Sequence, residues 1–442
     1  MVMIQASSIA CPSMPPSLRY RVFKFIHAAD LHLDSPLRGL ARYETAPAAA
    51  IRSASRRAFE NLIELALTEE VAFVLFAGDL FDGDWKDHQT GIYFNQQIGL
   101  LASREIRVIV VAGNHDASSR ITKVLKPPPN VSYLSVHKPQ SLRLADLGVV
   151  VHGQGFKEPH TSDNLAAAFP AAEPGLLNIG LVHTSLDGRE GHASYAPCSL
   201  DDLRQKGYQY WALGHVHERE VVCEDPLVVF SGCIQGRHAR ETGPKGCTLV
   251  AVEDGMIVEH EHHVLDVVRW SQLTVDATDS TNEEELIGAV RQAVKAEIAA
   301  VWDRLLALRV RVEGATPIDA KLRAAPEKWR SQVQAIGAEL GEEQVWIEKV
   351  QIATLGKRSL AEVLERDEVL AGLLSVVIEH DTTSGSVPGL DKVIVELKSK
   401  LPPAFFAGEE SFDPASAQVV TEVIDEAKAL LVARLLESEA TP

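Results

Sequence analysis

The stretch VFKFIHAADLHLDSP, residues 22–36, decides the fold. It opens as a buried strand, with Val22, Phe23, Phe25 and Ile26 apolar, and then runs into Asp30 and His32. Residues two apart face the same side of an extended chain, so this carboxylate and imidazole are expected to point at one object. An aspartate at a strand end is more often a turn or cap residue. The pair therefore needs partners elsewhere in the chain.

Those partners recur at one kind of place. VAFVLFAGD (71–79) is a second buried strand, and it ends in GDLFDGD, which carries Asp79, Asp82 and Asp84. VIVVAG (108–113) is a third, followed by Asn114, His115 and Asp116. Two later strands end on His183 and on LGHVH, with His215 and His217. Amphipathic helices are expected between the early strands, over 53–70 and 88–103, the first with Phe59, Leu62, Ile63, Ala66 and Leu67 on one stripe. From 131 to 265 strands dominate, and Asp254-Gly255 signals a hairpin. The pattern predicts an αβ domain with two packed sheets. In such sheets ligands gather at the carboxyl ends of strands.

Carboxylate, amide oxygen and imidazole without thiolate suit Mn²⁺, Fe²⁺ or Zn²⁺. Asp79, central in the ligand order, is the expected bridge between two ions. One would take Asp30, His32, Asp79 and His217, the other Asp79, Asn114, His183 and His215. His115, beside a ligand, is placed to donate a proton to a leaving oxygen or to stabilise a phosphoryl group, with Asp116 to orient it. Any one of these motifs is weak. The ordered set D-x-H, G-D-x-x-D, G-N-H-D, H, G-H-x-H is specific.

The chain has 442 residues and a net charge of −18. Residues 1–270 carry 25 Lys and Arg against 31 Asp and Glu, and the remainder 18 against 30. So acidic a chain is a poor free-standing nucleic-acid binder, and ions or a partner must supply the attraction. Fifteen of the sixteen histidines precede residue 264, which places imidazole chemistry in the first part. Five cysteines with no C-x-x-C spacing fit a reducing cytoplasm rather than a disulfide framework. No apolar run reaches the length of a membrane span. Residues 1–20 read as a disordered extension, without the charged start of a signal peptide.

Past residue 268 the texture changes. Strand WSQLTVDA (270–277) leads to a helix over 280–298 with capping-box spacing at Ser280/Glu283 and Thr281/Glu284. LALRVRVEG (306–314) is a half-exposed strand, 319–338 a helix and 344–353 a strand, which makes a compact βαβαβ module. A helix is expected over 359–379, a linker over 381–391, and a tail helix opened by Asp413 and Pro414.

The ligand set resembles the calcineurin-like metallophosphoesterase superfamily. ADLHLDSPLRGL, AGDLFD and GNHD are similar to the SbcD/YhaO type of DNA-repair exonuclease subunit, kin to the Mre-type nuclease of double-strand-break repair. The resemblance covers residues 22–265 and implies a four-layer αββα sandwich with a dimanganese centre. It further implies 3′–5′ exonuclease or endonuclease activity on DNA. The expected organisation is a nuclease domain over 21–268, a capping domain over 269–356 and a helical segment over 357–442. That last segment would grip an SMC-like coiled-coil ATPase (SbcC/YhaN-like), and paired nuclease subunits are implied. Some relatives carry histidine where this chain has Asp82, which leaves that residue open between a catalytic duty and a brace for its loop.

GCIQGRHARETGPKG (232–246) gathers Arg237, His238, Arg240 and Lys245 near the last metal strand, as substrate-phosphate contacts or as a solvated loop. His27 and His152 read as core histidines, and His260, His262 and His263 as a surface face. Two rival functions stay open: a small-molecule phosphodiesterase or protein phosphatase with the same centre, and a non-catalytic scaffold. The 170 residues after the first domain speak against the former, the intact ligand set against the latter.

Overall fold

The computed structural model describes residues 22–35, 47–82, 88–118, 126–187, 195–301, 303–341, 343–356, 389–401, 414–416, 419–421, 423–424 and 427. The chain divides after Val268 into two compact units.

The first unit opens with β1 (Val22–Ala28), α1 (Ala48–Thr68), β2 (Phe73–Phe76), α2 (His88–Ala102), β3 (Arg107–Val110), α3 (Asn114–Ser118) and β4 (Val131–Tyr133). It continues with β5 (Gln140–Leu144), β6 (Val149–Gln154), β7 (Leu177–His183), α4 (Leu200–Arg204), β8 (Tyr210–Gly214), β9 (Glu220–Glu224) and β10 (Leu227–Phe230). β11 (Gly246–Glu253) and β12 (Met256–Val264) close it as a hairpin. Two six-stranded sheets result, in the orders β12-β11-β1-β2-β3-β4 and β5-β6-β7-β8-β10-β9.

Strand alternation builds the layers. Phe25, Phe73, Leu75 and Ile109 of the first sheet meet Val151, Ile179, Tyr210 and Ala212 of the second in one inter-sheet core. The intervening Ile26, Val74, Phe76 and Val108 face the opposite way, onto Phe59, Leu62 and Ile63 of α1 and Phe94 and Ile98 of α2. On the far side, Trp211 and Leu213 pack with Leu203 of α4 and with Phe169. Each fully buried side chain of this size contributes about 1.5–3 kcal/mol, which is why the strands read as near-continuous apolar runs. The αββα sandwich is therefore formed. His27 is spent inside it: Nδ1 lies 2.9 Å from the Tyr210 hydroxyl and Nε2 3.2 Å from the Leu213 carbonyl.

Strands β1, β2 and β3 are mutually parallel, as are β7 and β8. Their carboxyl ends supply all the candidate ligands. Pairing continues past the strands, with Asp30 N–H on Gly78 O at 3.0 Å and His32 N–H on Asp79 O at 3.1 Å. The first two ligand loops are thus held in register.

The second unit orders β13 (Val268–Asp276), α5 (Glu283–Ala300), β14 (Leu305–Thr316), α6 (Asp319–Ala324), α7 (Pro326–Leu340) and β15 (Val345–Gly356). Its sheet runs β13-β14-β15 with β14 and β15 parallel. Leu306, Leu308 and Val310 share a core with Val290 and Val294 of α5 and Trp329 and Val333 of α7. Two local expectations change. The N-cap of α5 is Asn282, whose side chain accepts the Glu285 N–H, while Glu285 accepts from Thr281; the cap lies one residue past Thr281 and two past Ser280. The helix expected over 319–338 is two helices, because Pro326 cannot continue a helix and instead starts α7 at its first turn. A further helix, α8 (Leu390–Lys400), follows Gly389, whose φ of +88° suits glycine; it lies within the segment expected over 357–442 and begins inside the linker expected over 381–391. The expected helix over 359–379 and the Asp413 cap lie outside the described residues. Among the described residues no helix is long and apolar enough to cross a membrane.

Candidate metal centre

Three overlapping groups of donor atoms each fit within 4.8 Å: Asp30, His32 and His217; His32, Asp79 and His115; and Asp30, Asp79 and His183. Asp79 Oδ2 lies between the two sides, 3.9 Å from His32 Nε2 and 3.4 Å from His183 Nε2. Asn114 joins the second side, its Oδ1 2.9 Å from His183 Nε2. His215 reaches the centre first through its backbone, whose N–H donates to both oxygens of Asp30 at 3.2 and 3.0 Å. Its ring packs edge-on to His183 and to Tyr195 at 5.3 and 5.4 Å.

Asp30 and His32 converge for a different reason from the one expected. Neither backbone is extended: φ is +51° at Asp30 and +41° at His32. Asp79 (+55°) and His215 (+102°) also lie in the left-handed region. Such conformations are costly for residues other than glycine and collect at functional sites. The strand ends turn sharply here, and the turns aim the side chains.

The donor chemistry fits cations. His32 Nδ1 donates to Asp82 Oδ1 at 2.6 Å, so the lone pair is on Nε2. That Nε2 is buried and has no hydrogen-bond partner among the described residues. His183 Nδ1 donates to the Ala77 carbonyl at 2.8 Å, which turns its Nε2 lone pair toward the amide oxygen of Asn114. Two acceptors facing each other in a dry site call for a positive charge between them. Burial keeps both imidazoles below their ordinary pKa, and therefore neutral as ligands must be.

An outer ring of charge surrounds these donors. Asp82 holds His32, accepts from the Ser35 hydroxyl, and lies 3.5 Å from His115 Nδ1. Burial opposes its ionisation, but His32, Arg237 and His115 hold the carboxyl well below the usual range. Asp82 therefore braces the loop and also faces both histidines. Asp116, expected to orient His115, also has a structural task. Its oxygens accept the backbone N–H groups of Leu80 and Phe81 at 3.0 and 3.2 Å and of Gly113 at 3.0 Å, tying two ligand loops together. Burial, and then Asp79, push its carboxyl up to about 7.

Glu241 was missed in the sequence. It accepts His217 Nδ1 at 2.6 Å and the Arg237 backbone N–H at 2.6 Å. Its signal was an acid in an otherwise cationic loop just past the last ligand. That loop also behaves differently from a row of phosphate contacts. Lys245 is 3% exposed and donates to Glu218 at 2.5 Å, bracing the turn after His217. Arg237 is turned inward onto Glu241 and Asp82. His238 Nε2 is 3.7 Å from Glu241, and Arg240 is exposed. His115 stands at the rim, its side chain 26% exposed and its N–H on Asp79 Oδ1 at 2.9 Å.

Residues 23–219 match the calcineurin-like phosphoesterase family, and residues 270–355 match the middle domain of metallophosphoesterase YhaO. The chain thus carries a domain of the calcineurin-like metallophosphoesterases. Within them it is similar to the uncharacterized metallophosphoesterase YhaO of Bacillus subtilis, at 35% identity over 270 residues, 60% of this chain and 66% of that protein. It is 28% identical over 171 residues to the DNA double-strand break repair protein Mre11 of Sulfurisphaera tokodaii, covering 37% of this chain and 43% of that one. The aligned part thus spans just under two thirds of the first relative and less than half of the second. A dimetal phosphatase from Danio rerio aligns over 55% of this chain and 98% of its own, at 12% identity and a TM-score of 0.31.

Proposed function

We propose that the chain is a dinuclear-metal phosphodiesterase that cleaves DNA, as the nuclease subunit of an assembly with an SMC-like coiled-coil ATPase. The observation that carries the hydrolytic part is the pair of neutral, buried imidazole faces, on His32 and His183, on either side of Asp79 Oδ2. The DNA part is supported by the similarity to a DNA double-strand break repair protein and by the YhaO-type second unit. Asp30, His32, Asp79 and His217 would hold one ion; Asp79, Asn114, His183 and His215 would hold the other. The donor set suits Mn²⁺, with Fe²⁺ and Zn²⁺ as competitors. Two ions bound there would supply phosphate charge neutralisation and an activated water.

The protein's own residues do the rest. Asp79 lies between the two sides of the centre, and its Oδ1 fixes the start of α3 through the His115 N–H. His115, edge-on to His32 at 4.9 Å and beside Asp82, is positioned to protonate a leaving oxygen. The test is cleavage by the purified chain in Mn²⁺, with linear duplex DNA and a small chromogenic phosphodiester side by side and His115→Ala as control. DNA cleavage that disappears in the variant supports the proposal. Cleavage of the small ester alone, both with and without the ATPase partner, sinks the DNA reading and leaves a small-substrate phosphodiesterase.

A further inference from the structure

Resting on that metal-centre reading, we propose that Arg237 is a positioning residue that sets the affinity of one of the two metal positions, by holding Asp82 and Glu241 against His32 and His217. The side chain is only 13% exposed and lies deep for a guanidinium. Its Nη2 donates to Glu241 Oε1 at 3.1 Å, and its Nη1 is 3.8 Å from Asp82 Oδ1. Its own backbone N–H adds a bond to Glu241 Oε2 at 2.6 Å. One fork thus spans two carboxylates, and each carboxylate holds one ligand imidazole at 2.6 Å. A planar guanidinium fixes such an angle; a lysine ammonium, a point charge on a flexible stem, does not.

The two imidazoles belong to the same side. His32 and His217 group with Asp30, and their rings are 5.1 Å apart. On the other side His183 is backed instead by the neutral carbonyl of Ala77. A carboxylate behind a ligand histidine fixes its orientation and raises its basicity, and losing one typically costs 10–100-fold in metal affinity. Without Arg237, Asp82 and Glu241 would both lose the guanidinium they share and would be freer to turn from their imidazoles. The loop that carries Arg237 is itself anchored: Gln235 accepts the N–H groups of Val267 and Val268 at 2.9 and 3.2 Å and donates to the Val268 carbonyl at 2.7 Å. The arginine therefore has a fixed base from which to hold both partners.

The test is Mn²⁺ binding to the full chain by calorimetry, with Mn²⁺ per chain measured after gel filtration at a concentration that just saturates the wild type. Arg237→Met is expected to retain one ion and to weaken the other 10–100-fold, and Arg237→Lys to recover only part of that loss. If Arg237→Met keeps both ions at wild-type affinity and only KM for a phosphodiester rises, the arginine is a substrate clamp and the proposal is overturned. Equal weakening of both ions overturns it as well. Circular dichroism checks the fold. Should Arg237→Met unfold, Glu241→Gln replaces it, with loss of a single ion expected and retention of both overturning the idea. Failure of the underlying reading looks different: the wild type would bind no ions, or Asp79→Ala would bind them as the wild type does.

Discussion

Gly113→Ala puts the closeness of the ligand loops to a quantitative test. Gly113 ends the run after β3, and a Cβ there would sit 2.2 Å from Asp79 Oδ1 and 2.8 Å from Asp79 N. Ordinary contact begins near 3.4 Å, so Asp79 or the glycine backbone must move by about 1.2 Å. Neither can move freely. Asp79 is fully buried, and its Oδ1 already accepts the His115 N–H, while Gly113 N–H is held by Asp116. Overpacking of this kind costs about 1–3 kcal/mol of stability. Displacing a positioned group by about 1 Å can cost on the order of 10²-fold in rate. The matched control is Gly99→Ala on α2, where a Cβ meets nothing within 4 Å and a gain of about 1 kcal/mol is expected from helix propensity. The assays are denaturant unfolding, Mn²⁺ per chain, and turnover of a chromogenic phosphodiester. Wild-type metal content and turnover in Gly113→Ala, with stability changed by less than about 0.5 kcal/mol, would refute the packing argument.

Asp79→Ala should abolish both metal binding and activity, whereas His115→Ala should abolish activity with metal retained; full metal occupancy in Asp79→Ala would remove it as the bridge. Chelation should lower the melting temperature, since each site at 100-fold excess over its Kd adds about 2.7 kcal/mol, and an unchanged melting temperature would mean that no ion is bound. The raised pKa of Asp116 has a definite sign. A carboxyl that binds its proton more tightly when folded makes the ion-free protein less stable as pH rises from about 4 to about 7. Asp116→Asn should flatten that slope in pH-resolved unfolding, and an identical slope in the variant would place the titration elsewhere.

The inner donors were legible because their chemistry is local. A strand that ends in a carboxylate, an amide or an imidazole shows both the residue type and the direction in which it is delivered. The sandwich was legible for a related reason: strands buried on both faces are apolar at every position, as in Phe73–Phe76. The backbone was not legible. Asp30 and His32 suggested an extended chain by their spacing, yet both sit in the left-handed region. Sequence shows that two side chains are two residues apart, not which turn brings them together. The outer ring was hidden by distance along the chain. Asp82 meets His32 across 50 residues, and Glu241 meets His217 across 24.

Charge explains where the loop's cations point. Arg237 and Lys245 stood open between substrate contacts and a solvated loop, since an anionic protein with a basic loop beside its metal strands suggests a phosphate site. The local balance is different. Asp30, Asp79, Asp82 and Glu241 place four carboxylates in a small buried volume. Buried carboxylates are stable only when paired or when they bind metal. Arg237 pairs with two of them, and Lys245 pairs with Glu218 at the turn that follows His217. Asp30 and Asp79 face the ligand imidazoles, and these are the carboxylates whose charge two divalent ions would meet. The loop's cations thus answer first to the protein's own acids. Under the proposed function, Arg240, which is exposed, and the partly exposed His238 are the two of the loop's four cationic residues that would meet a substrate's phosphates.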